Sequence, residues 1–145
     1  MNMDPQTIGL LNEVAKNAEM GKHTAQDLAQ ITEDVRMKNE LQRQVDTYED
    51  LQNRARAMLA VGGEEPKDES TMAKMSAKMG VKMQTAMDKS NTNLAKMIIE
   101  GSHMGEKDME EAIRQNPGAN VGAVALAKRL HHAESEYAQQ MKNFL

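Results

Sequence analysis

Along this chain, apolar residues recur at spacings of three and four in successive stretches. That is the period of an amphipathic helix, and no stretch alternates apolar with polar as a half-buried strand does. Asp4-Pro5 pairs an N-cap acceptor with proline at the first helical position. It predicts a helix from about Pro5 to Ile31, with Ile8, Leu11, Val14, Ala18, Gly21, Ala25 and Leu28 along a near-heptad seam. Thr32 is the next N-cap expected, opening a helix from about Glu33 to Val61. Met37, Leu41, Tyr48, Leu51, Ala55 and Met58 keep one face of it, Gln44 falls inside that face, and Gly62-Gly63 ends the helix. After the polar loop Glu64 to Ser70, the residues Met72, Met75, Met79, Met83 and Met87 form one narrow face of a short helix flanked by Lys74, Lys78 and Lys82. Ser90 caps a helix from about Asn91 to Asn116, whose stripe is Leu94, Ile98, Gly101, Gly105, Met109 and Ala112, widened by Met97 and Met104. Asn116-Pro117-Gly118 is a stop. The last helix, about Asn120 to Asn143, carries Leu126, Leu130, Ala133, Tyr137, Met141 and Phe144.

Four long helices in one domain spanning residues 1–145 follow from this pattern. The first two and the last two are joined tightly and form antiparallel pairs. The middle joint, about 29 residues from Gly62 to Ser90, is long for a bundle loop. It can travel the length of the bundle and deliver the third long helix parallel to the second. The expected fold is an all-α, ferritin-like four-helix bundle with a Met-rich crossover helix. A five-helix bundle of up-down topology is the competing arrangement.

Composition narrows the chemistry. The chain has no Cys, 14 Met and a net charge of −4. Disulfides, thiolate metal sites and thiol nucleophiles are therefore excluded, and the absence of Cys agrees with a cytoplasmic location. No basic surface with interleaved aromatics points to nucleic acid, no apolar run spans a bilayer, and no basic-then-apolar leader opens the sequence. Phosphate-loop and nucleophile-elbow motifs are absent, so no catalytic or cofactor-binding residue is assigned.

Several stretches carry a family likeness: Asn17-Ala18-Glu19-Met20-Gly21, Glu40-Leu41-Gln42-Arg43-Gln44 leading to Tyr48-Glu49, Glu65-Pro66-Lys67-Asp68, Lys82-Met83, and Met97 through Gly105. In these, and over almost its whole length, the chain resembles small bacterial ferritin-like proteins of unassigned role. The resemblance implies the bundle fold and supplies no metal ligand.

Metal chemistry is weighed against the inventory of a carboxylate-bridged centre. Such a site takes a Glu from each of two helices and Glu-x-x-His from each of the other two. Glu-x-x-His occurs once, at Glu100 and His103, and both point away from the Gly101/Gly105 face. The last helix reverses the order, with His131 and Glu134 on one side of its stripe. Glu40 and Asp108 lie beside theirs, while Glu13 and Glu19 lie well off the core face of the first helix. Glu40, Asp108, His131 and Glu134 are thus the candidate ligands for iron or manganese, an incomplete set. The Met face suits Cu(I) chemically, but Met at helical spacing is first of all the buried side of a helix. It is also a flexible surface suited to varied partners. With lysines beside it the face could lie on an anionic membrane, and its lack of Trp and Phe argues against that. The expected role is non-catalytic protein interaction or assembly, with another copy of the chain or another protein as partner. Met72, Met75, Met79, Met83 and Met87 are the expected contact. A metal-binding or redox role is the alternative.

Overall fold

The computed structural model describes residues 3–65 and 88–145. All regular structure among them is helical: α1 Pro5–Ile31, α2 Val35–Val61, α3 Asn91–Gln115 and α4 Val121–Met141, closed by a 3-10 turn at Lys142–Phe144. The predicted Met helix, with its five candidate contact residues, lies outside the described residues.

Local chemistry fixes the ends. α1 starts at Pro5 and stops at Ile31 as expected, although the Asp4 side chain makes no capping bond and Pro5 opens the helix alone. Thr32 does not cap α2. Its N–H still bonds Leu28 O at 3.0 Å, so it belongs to the end of α1. The cap is Asp34, whose carboxylate accepts the Met37 N–H at 2.9 Å, and α2 therefore begins at Val35. That bond, followed by one from Asn91, holds the Asp34 carboxyl below its usual range. At the other end of α2, Gly63 takes φ 79°, which favours glycine. The Gly63 N–H reaches Ala60 O and the Glu64 N–H reaches Leu59 O, the paired bonds of a Schellman ending. Ser90 accepts the Asn93 N–H to start α3, and Asn120 accepts the Ala123 N–H to start α4.

Long-range hydrogen bonds set the topology. Asn91 Nδ2 donates to Asp34 Oδ2 at 2.9 Å, so α3 begins beside the start of α2. At the opposite end, the Gly118 N–H bonds Gln6 Oε1 and the Asn120 N–H bonds Thr7 Oγ1, pinning the α3–α4 turn to the start of α1. Hence α2 and α3 run the same way, and the connection from 62 to 90 joins opposite ends of helices about 40 Å long. Both arrangements expected from the sequence require this parallel relation. The segment that distinguishes them is outside the described residues. No described helix is long and apolar enough to cross a membrane.

Two apolar clusters fill the interior. One is built around Leu10, Leu11, Leu51, Leu59, Leu130 and Tyr137, the other around Leu28, Met37, Leu41, Leu94 and Met141. They meet at the level of Gly21, Gln44, Ser102 and Glu134, and polar groups enter the core there.

The stripes read from the sequence hold with corrections at four residues. Met104 is 66% exposed, so it does not widen the core face of α3, and Gly101 is exposed as well. Leu10 is fully buried although it lay outside the α1 seam. Glu19 is 6% exposed, contrary to the expectation that it sits well off the core. It lies on the flank of α1 where Lys22 reaches Gln52 of α2 at 3.0 Å. A helix touching more than one neighbour buries a wider arc than a heptad seam allows for.

Candidate functional site

At the level where the two clusters meet, a cavity of about 160 Å³ opens between α1 and α3 and reaches inward to α2 and α4. Its walls are largely apolar: Met20 and Gly21 of α1, then Met97, Ile98, Gly101 and Gly105 of α3. The polar lining comes from all four helices and includes Asn17 of α1, Gln44 and Tyr48 of α2, Ser102 and Asp108 of α3, and Glu134 of α4.

Two glycines make room for the polar groups. A Cβ on Gly105 would fall on the Glu134 carboxyl, and a Cβ on Gly21 would fall on the Tyr48 ring. Gly101 differs. A Cβ there would meet nothing within 4 Å, because that position opens on the cavity instead of facing a helix closely. The expectation that both α3 glycines abut a neighbour thus holds for Gly105 alone.

Glu134 is 3% exposed. Burial, reinforced by the neighbouring charges of Glu106 and Asp108, raises its pKa to about 8, so it holds its proton at neutral pH. Tyr48 is also buried. Burial first, then Glu134, pushes its hydroxyl well above the ordinary phenol range, and it shares a hydrogen bond with Ser102. The Tyr48 ring meets that of Tyr137 edge-on, with centroids 5.5 Å apart.

Gln44 is 1% exposed, and its Oε1 has no hydrogen-bond partner. Its amide orientation is set from behind, since Nε2 donates to Glu40 Oε1 at 3.3 Å. Glu40 is in turn held by Arg43 through bonds of 3.1 and 2.7 Å. A buried carbonyl left without a donor costs roughly 1–3 kcal/mol. In the inner lining of the cavity it is an acceptor that a donor on a bound molecule would satisfy.

The sequence-predicted metal candidates are not brought together. Asp108 and Glu134 share the cavity. Glu40 is engaged with Arg43, and His131 turns outward to bond Glu110 Oε1 at 2.9 Å. Among the described residues no three His, Asp or Glu are grouped to hold a metal ion. Two acids in a mostly apolar wall do not fit the inventory of a di-metal centre. Basic residues gather elsewhere: Arg43, Lys128, Arg129 and His132 line a more open groove between α2 and α4.

Tyr48, Ser102 and Asn17 were not singled out as site residues by periodicity. Gln44, the polar break in the α2 stripe, and the paired glycines of α3 were the legible signals. The stretches 17–21, 40–48 and 97–105 all contribute to the cavity wall or to its support. Comparison with family models, curated proteins and solved structures returns no match, so the site is read from its own geometry.

Proposed function

We propose that this protein is a ferritin-like helical bundle with a non-catalytic binding role, and that the cavity between α1 and α3 holds its ligand. The observation that carries this reading is the buried, unpartnered Gln44 Oε1 at a cavity that also takes in the Glu134 carboxyl. Native interiors rarely leave such an acceptor unmet, and a few polar groups converging in an apolar concavity are the usual form of a small-molecule site. Volume adds to the case: an engineered apolar cavity of about 150 Å³ takes up benzene. The Met face expected to contact a partner lies outside the described residues, whereas the parts of this cavity are described. Met20, 41% exposed, adds a flexible thioether to the lining. An iron or manganese role finds only Asp108 and Glu134 together and is not carried further.

Thermal denaturation of the full chain with ring-sized organic fragments tests the proposal. At least one fragment should raise the midpoint in proportion to the logarithm of its concentration. Gly101→Leu, which fills open space, should fold and lose that response. No response from any fragment, or an equal one in the variant, would remove the cavity as the binding site.

A further inference from the structure

The lining of the cavity says what kind of molecule it takes. Resting on the cavity as the binding site, we propose that its occupant is a small organic cation, an ammonium group on an apolar body of about six to eight non-hydrogen atoms. The size follows from a volume of about 160 Å³. The apolar body follows from Met20, Met97, Ile98 and the bare backbone at Gly101.

The cationic head follows from the acceptors. Gln44 of α2 lines the cavity, and its buried Oε1 lacks a donor that an ammonium would supply. Glu134 on α4 and Asp108 on α3 are carboxyl groups in the same lining. No Lys, Arg or His lines the cavity among the described residues. An ammonium offers three donors and no acceptor, which matches an acceptor-rich pocket. A carboxylate or phosphate would sit beside Asp108 with no Lys, Arg or His in the described lining to neutralise it. A hard divalent metal would need a shell of six or more oxygens, and the thioether and aliphatic walls do not supply one.

Glu134 gives the site its selectivity. Facing it are Glu106 and Asp108 of α3 and Tyr48 of α2, with uncharged Asn17 and Thr24 of α1 completing that part of the lining. Without a ligand the carboxyl keeps its proton. An arriving ammonium replaces that proton as the neutralising charge. The proton leaves to solvent, and the carboxylate and ammonium form a charge-assisted hydrogen bond, about twice as strong as a neutral one.

A matched pair of probes, cyclohexylamine and cyclohexanol, separates the cavity from its charge preference. Each is titrated calorimetrically into the full chain near neutral pH. The amine should bind roughly tenfold tighter or more, the ratio that a single charge-assisted contact supplies. Glu134→Gln should bring the ratio close to one while the alcohol still binds, and Gly101→Leu should lose both probes. Equal or tighter binding of the alcohol to the unmodified chain overturns the cation and leaves the cavity standing. An unchanged ratio in Glu134→Gln also overturns it. Binding of neither probe overturns the cavity and the cation together. The ratio on the unmodified chain decides the matter even if Glu134→Gln does not fold.

Discussion

Glu134 makes the stability of the bundle depend on pH. In the unfolded chain it titrates near 4.5, and in the bundle near 8, because burial and then the charges of Glu106 and Asp108 oppose ionisation. Below the lower value both states are protonated and folding costs nothing on this account. As pH rises from 4.5 towards 8, the unfolded chain ionises first and stability falls. Above 8 both states are ionised and the full penalty stands, on the order of 3–5 kcal/mol. Glu134→Gln should therefore change stability little at about pH 5 and raise it by about 3 kcal/mol or more near pH 8. Urea unfolding of both chains at the two pH values measures the difference. Curves that stay parallel would show that the carboxyl is solvated. Gln44 shows how much of such a site a sequence discloses at this scale. Its place inside the α2 stripe was visible, because a polar residue on an apolar face breaks the helical period. That its Oε1 is unpartnered depends on Glu40 and Arg43 taking up the other end of the amide, which periodicity does not encode.

Helix α3 owes its role to glycines one turn apart that do different things. Helical spacing put Gly101 and Gly105 on one face and predicted a close neighbour for both. Only Gly105 has one, the Glu134 carboxyl of α4, while Gly101 looks into open space. Periodicity gives the direction in which a residue points and says nothing of what stands opposite. The two positions should respond oppositely to the same change. Gly101→Ala should stabilise by up to about 1 kcal/mol through helix propensity alone. Gly105→Ala gains the same propensity but drives into Glu134, and should cost about 1–3 kcal/mol net. Adding Glu134→Ala to Gly105→Ala should recover most of that loss, since the partners are in contact and their effects couple. Chemical denaturation of the three variants against the parent measures all of these. A destabilised Gly101→Ala would mean that the face is closed.

At the scale of the whole molecule, the connectivity was the most legible feature. The short joints at Thr32 and at Pro117-Gly118 forced two antiparallel pairs, and the long joint set α3 parallel to α2, as the Asn91–Asp34 bond records. The bounds of α1 coincide with those read from Asp4-Pro5 and the apolar stripe. The α2 start was misread because two capping residues, Thr32 and Asp34, compete within three positions. The cavity was not legible, because it is a product of packing: two apolar clusters meet at a layer where glycine backbones admit a tyrosine and a glutamate. Methionine gives a direct probe of that layer. Met20, Met97 and Met104 line the cavity, whereas Met37 and Met109 are sealed in the core. The most direct test is an NMR titration of the methionine methyl groups of the full chain with cyclohexylamine. The Met20 and Met97 methyls should shift and show magnetisation transfer to the ligand ring, with Met37 and Met109 unaffected and all shifts lost in Gly101→Leu. Shifts confined to methyls away from the cavity, or shifts that persist in Gly101→Leu, would contradict it.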